Sequence, residues 1–238
     1  MFFNKKIIFI FLLLICPAIV KSDTYSVSRK FYFGLGGGVI SPNDVDINVS
    51  TAGTINGVNF SANIDGEFEF DTGYQLSGLI GYRLSDSLSF ETELAYTNFD
   101  YDKVNLTTAG TATKGGVTFT GAASTSYDIE GSISSFSMIF GPSFDFDFNN
   151  QTEFILGGGI GFSSYNDEIE KVGGSTGLSY DVDNTDFSAK FKTGVNYSLD
   201  LETYIHGEYG YNYVDSGIDN YTDDFTAHSF NAKLIYNF

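Results

Sequence analysis

Eight stretches of the chain alternate apolar residues with polar or small ones at a period of two, the pattern of strands with two unlike faces. Residues 31–40 put Phe31, Phe33, Leu35, Gly37 and Val39 on one side. Residues 73–84 do the same with Tyr74, Leu76, Gly78, Ile80 and Tyr82, and 88–100 with Leu88, Phe90, Thr92, Leu94 and Tyr96. In 131–148 the even positions Phe136, Met138, Phe140, Phe144, Phe146 and Phe148 share a face. Residues 152–165 (Phe154, Leu156, Ile160, Phe162) and 187–199 (Phe187, Phe191, Val195, Tyr197) repeat it. So do 201–214 (Ile205, Gly207, Tyr209, Tyr211) and 230–238 (Phe230, Ala232, Leu234, Tyr236, Phe238). No useful length carries a helical period, and the fold class is predicted to be all-β.

The connections alternate in length. Residues 85–87, 149–151 and little more than residue 200 join three pairs of strands, whereas 41–72, 101–130, 166–186 and 215–227 are long. Short turns at one rim and long loops at the other describe an eight-stranded antiparallel up-and-down transmembrane β-barrel, with periplasmic turns and extracellular loops. The second long connection holds the Thr/Gly/Ala-rich run of 105–126 and the first the similar run of 50–64, whereas the fourth carries Asp215, Asp219, Asp223 and Asp224. The 105–126 run suits either a hairpin extension or a mobile loop.

The two faces decide what surrounds the barrel. Opposite the apolar residues lie Arg83, Glu91, Glu93, Lys190, Lys192, Glu202, His206, Glu208 and Lys233, with four acids against four lysines and arginines. A nearly neutral set of this kind can pair inside a narrow lumen, while the Phe- and Tyr-rich face meets lipid. Turning the faces round would expose several large apolar residues per strand to water. Aromatic residues make up 17% of the chain and none is Trp, so Tyr supplies the interfacial anchors.

The N-terminus has Lys5 and Lys6, then an apolar run over 7–20 that is too short for a spanning helix, which needs ~20 residues. Residues 1–22 therefore read as a secretory signal peptide cleaved after Ser22, and 23–238 as the barrel domain. Cys16 opens a lipoprotein alternative, against which Ile15 stands where a small residue is expected. Cleavage takes the net charge from −18 to −21 and removes the only cysteine, so no disulfide framework is available. An acidic chain of this kind is not suited to nucleic acid. Its expected surroundings are outer-membrane lipid and lipopolysaccharide, with an extracellular ligand or host surface as a further partner.

Taken together, "FYFGLGGGVISP", "YQLSGLIGYRLSDSLSFETELAY" and "AHSFNAKLIYNF" resemble the small outer-membrane β-barrel family that includes opacity proteins and surface antigens. The likeness runs over essentially the whole mature chain. It implies a Gram-negative outer-membrane location and implies that the barrel-assembly machinery reads the last strand at Phe230, Leu234, Tyr236 and Phe238. It carries no catalytic motif, and no cofactor, metal site or catalytic set is expected. The acids of the long connections (Asp44, Asp46, Asp65, Glu67 and Glu69 in the first) could gather calcium, although none follows an EF-hand spacing. A solvated acidic rim is the simpler account.

The reading is a non-enzymatic surface protein with a structural or interaction role and a lumen plugged by Glu, Lys and Arg. The alternative is a narrow porin for small solutes, since the glycine-rich first and fifth strands could leave gaps. A lipid A-modifying enzyme is the third. Its candidate pair, His228 and Ser229, resembles the His and Ser of the lipid A deacylase family but is adjacent, and neighbours on a strand face opposite ways.

Overall fold

A computed structural model describes residues 30–175, 180–215 and 224–238, where ten strands form. They are β1 (Phe31–Pro42), β2 (Val45–Ile55), β3 (Val58–Phe70), β4 (Gly73–Ser85), β5 (Leu88–Lys114), β6 (Val117–Asn149), β7 (Thr152–Val172), β8 (Tyr180–Ser198), β9 (Thr203–Val214) and β10 (Phe225–Asn237). The predicted signal segment, 1–22, lies outside the described residues.

Eight of these strands, β1 and β4 to β10, close on themselves. β1 lies between β4 and β10, the order continues through β9, β8, β7 and β6, and β6 pairs back to β5 beside β4. Every pairing is antiparallel. Among the described residues no helix is long and apolar enough to cross a membrane. The outward positions form the apolar belt: Leu35, Leu76, Ile80, Phe140, Phe191 and Leu234 are all exposed. Lysines 190, 192 and 233, Glu93 and Glu208 face inward and are buried. The alternation read along the sequence thus separates lipid from lumen.

The long connections at 41–72 and 101–130 are built largely as hairpin extensions above the belt, one of the two forms open to such sequences. β2 and β3 form a hairpin whose second strand pairs with β5 from Asn59↔Thr113 to Phe70↔Tyr101. β5 and β6 run on well above the belt, pairing up to Lys114↔Val117. The result is a four-stranded extracellular sheet in the order β2-β3-β5-β6. Its hairpins turn at Asn56-Gly57 and Gly115-Gly116, all at positive φ, as a two-residue turn matched to strand twist requires. The third and fourth connections also shrink, because β7 reaches Val172, β8 starts at Tyr180 and β10 at Phe225. At the other rim the predicted strand 201–214 begins only at Thr203, because the Asp200 carboxylate caps a turn by accepting from the Glu202 and Thr203 amides at 2.8 Å each.

Above the belt the polarity of the two faces inverts. In β5, Glu93 and Thr97 point into the lumen, but after a register shift between Asp100 and Lys103 the inward residues are Val104 and Leu106. Lys103, Asn105 and Thr107 then face water and bond one another's neighbours, Lys103 to Glu69 at 2.9 Å and Thr107 to Ser124 at 3.1 Å. The cause is the change of solvent. Once the outer face meets water, the inner face must supply the core. Phe70, Phe99, Ile133, Ala227, Phe225 and Ile40 pack over the top of the barrel, with Phe99 stacked on Phe225 at 5.5 Å.

Candidate functional site

The lumen is layered. At its centre three carboxylates meet three ammonium groups. Lys190 reaches Glu93 at 2.7 Å and Glu208 at 2.6 Å, and Lys233 reaches the same two at 3.1 and 2.9 Å. Lys192 holds Glu91 and lies 3.6 Å from Glu208. Glu93 is on β5 and Glu208 on β9, four strands apart in either direction round the barrel, so they stand on opposite walls. The two lysines that join them come from β8 and β10, on the two sides between. The cluster therefore crosses the full width of the lumen.

His206 shares the inward face of β9 with Glu208. Its Nε2 lies 3.1 Å from the Glu208 carboxylate and its Nδ1 2.8 Å from Asn196 Oδ1, so both ring nitrogens are occupied. A polar layer sits above, where Asn231 donates to Gln75 at 2.7 Å and Gln75 to Thr97 at 3.3 Å. An apolar layer of Tyr32, Leu79, Ile235 and Tyr204 sits below. Arg83 belongs to this lower layer: its guanidinium lies over the rings of Tyr32 at 5.4 Å and Tyr204 at 5.9 Å. The Tyr32 hydroxyl donates to Glu91 at 2.6 Å, which ties the layer to the charges.

Glu202 is displaced from the lumen. It sits in the turn before β9, and its carboxylate accepts the Tyr236 hydroxyl at 2.9 Å on the exposed side. Asn196, Tyr32, Leu79 and Ile235 are members that the charge pattern did not pick out. Asn196 has the parity of Lys190 and Lys192 on β8, and that signal was available. Of the C-terminal residues, Phe230, Leu234, Tyr236 and Phe238 all face outward, and Phe238 stacks on Phe31 at 6.2 Å. His228 and Ser229 separate as neighbours must. His228 faces out, with Nδ1 2.7 Å from the Tyr209 hydroxyl, while Ser229 is buried beside Asn212. Among the described residues no group of three or more His, Cys, Asp or Glu converges to hold a metal.

Beyond the belt, at the base of the extracellular sheet, Tyr101 donates to Asp167 at 2.8 Å in a buried position. Burial raises the Asp167 carboxyl above its ordinary value and the Tyr101 bond opposes the rise. An acid raised on folding binds its proton more readily in the native state, so its contribution to stability grows as pH falls and is lost as pH rises through the folded value. Tyr101→Phe is expected to cost about 1–3 kcal/mol at neutral pH and to recover part of that loss on acidification toward pH ~4. Asp167→Asn in the same background should abolish the recovery. Thermal unfolding of wild type and variants across that range checks both, and parallel curves would refute the assignment.

The family model described as outer membrane protein beta-barrel domain matches residues 13–238. No curated protein matches the chain. Among solved structures, Neisserial surface protein A is 17% identical, with 87% of this chain and 97% of that one aligned at a TM-score of 0.47. The attachment invasion locus protein Ail of Yersinia pestis is 14% identical, with 88% and 99% aligned at 0.45. The outer membrane protease OmpT from Escherichia coli is 10% identical, with 91% and 99% aligned at 0.43. The chain belongs to the outer-membrane protein β-barrel domain family.

Proposed function

We propose that this outer-membrane barrel is a non-conducting, non-enzymatic surface protein that meets its surroundings through the extracellular sheet. The observation that carries the reading is the Glu93–Lys190/Lys233–Glu208 bridge from one wall of the lumen to the other. Eight strands leave an interior only wide enough for side chains to fill. Here the charges fill it, with the apolar layer around Tyr32 and Leu79 below and the cluster around Phe99 and Phe225 capping the polar layer above. An ion entering would have to displace lysines already paired in a low-dielectric space, or pass between apolar rings. The acids at the base of the sheet (Asp65, Glu67 and Glu69 on its outer face) give the exposed part an anionic rim. The outward Phe230, Leu234, Tyr236 and Phe238 suit recognition of the last strand during assembly.

Planar-bilayer recording of the refolded protein tests the reading. Wild type is expected to show no steady current, and the triple variant Lys190→Ala/Lys192→Ala/Lys233→Ala, where it folds, brief irregular openings. Steady wild-type currents would instead establish a narrow pore for small solutes.

A further inference from the structure

Within the membrane β6 is paired on both sides, by β5 and by β7. The pairing with β7 ends at Ile129↔Val172, and the Gly173 amide takes the Asp128 carbonyl at 2.9 Å. Above that point β6 pairs with β5 alone, from Lys103↔Asp128 to Lys114↔Val117. No strand among the described residues lies against its other edge. Such an edge is a row of unpaired N–H and C=O groups, which proteins ordinarily blunt with lysine, proline or a bulge. Residues 117–126, "VTFTGAASTS", contain no charge and no proline, and their pairing with β5 has no register shift.

We propose that this edge, residues 117–127, accepts an extended segment of another protein as an added strand. The proposal rests on the surface-interaction reading and is independent of the closed lumen. Added strands take affinity from main-chain bonds and selectivity from alternate side chains. Phe119 (67% exposed) and Tyr127 (41%) share one face of β6, while Thr118, Thr120 and Ser126 share the other. The incoming segment is therefore apolar toward the first face and polar toward the second.

A second copy does not suit the edge. Two copies in one membrane would align their β6 strands in parallel, and the wall below the partner's β6 would need the space that β7 occupies here. A copy in a facing membrane brings the same charge, −18 over the whole chain, against an edge whose base carries Asp128 and Glu168, with Glu130 already paired to Lys171. Like charges juxtaposed in this way oppose association. A neutral segment with a basic residue at its membrane end meets neither obstacle.

The test uses the full chain refolded into phosphatidylcholine vesicles and a fluorescent peptide copying residues 103–114. That stretch already pairs with the inner edge of the same β6 segment and carries a lysine at each end. Saturable binding is expected, with amide exchange slowed at residues 119–127. Methylating alternate peptide nitrogens, or substituting Ala122→Lys with Ser126→Lys in the protein, should weaken binding by about tenfold or more. Both substitutions lie on the exposed polar face, so the heat-stable barrel should persist. Absence of binding, equal binding of the methylated peptide, or unchanged binding by the double variant overturns the proposal. So does clumping of vesicles without peptide that the double variant abolishes, since the occupant would then be a second copy. A silent edge on a non-conducting barrel defeats the added strand alone, whereas steady currents defeat the closed lumen and leave the added strand to be decided by peptide binding.

Discussion

Glu208→Gln is expected to destabilise the barrel by about 3–5 kcal/mol, the loss seen when one partner of a buried ion pair is removed. Glu208 receives Lys190, Lys233, Lys192 and His206 within 3.6 Å and is almost wholly enclosed. Glutamine keeps the shape and one acceptor oxygen but strips the charge and turns an amide group toward ammonium donors. Three lysines would then share Glu91 and Glu93. Water cannot easily make up the difference, because apolar layers lie above and below. Adding Lys233→Met restores the balance of charge, and the double variant should recover more than half of the loss. Their coupling is the quantity of interest, since contacting residues deviate from additivity by about 0.5–3 kcal/mol. Urea unfolding in lipid vesicles measures all three proteins. A single-variant loss below about 1 kcal/mol would mean that the cluster is solvated and that the lumen is wet.

The sequence carried the barrel because lipid and lumen impose opposite chemistries on alternate residues. Phe33, Leu76, Leu94, Phe140 and Leu234 declare one side, and Glu93, Lys190, Glu208 and Lys233 the other. Parity says which side chains enter the lumen. It does not say which meet, because heights on different strands depend on the stagger of the closed sheet. Only the closed structure shows that Glu93 and Glu208 share a level on opposite walls, and that Glu202, of the same parity as Glu208, falls into a turn. The extracellular sheet was harder to read for two reasons. Its alternation changes phase at the irregularity between Asp100 and Lys103, and its polarity inverts once water replaces lipid. The small residues from Thr107 to Thr113 and from Thr118 to Ser126 also offer little contrast between faces. Strand there is set by cross-strand pairing, which a single segment does not display.

Gly36→Val should prevent the barrel from closing. Gly36 faces the lumen on β1, opposite Lys233 on β10, at the seam where the first and last strands meet. A methyl group added at Gly36 would overlap the Ala232 carbonyl and stand 2.6 Å from Lys233 Cα and 2.7 Å from its Cγ. Backbone cannot yield there without opening the seam. Displacing the lysine stem would draw its ammonium group away from Glu93 and Glu208, so overpacking and a broken charge cluster arise from one substitution. Overpacking alone typically costs about 1–3 kcal/mol; with a buried charge unpaired the total should exceed about 4 kcal/mol, a loss few point substitutions reach. Gly207→Val is the control. It lies on β9 facing lipid, nothing is within 4 Å of an added methyl group, and a branched apolar residue suits both strand and membrane. Gel mobility with and without boiling distinguishes them: Gly207→Val should keep the compact heat-modifiable band and Gly36→Val should lack it. A normal band for Gly36→Val would show that the β1–β10 seam can spread to admit a side chain, and that the close approach of Lys233 is not what closes the barrel.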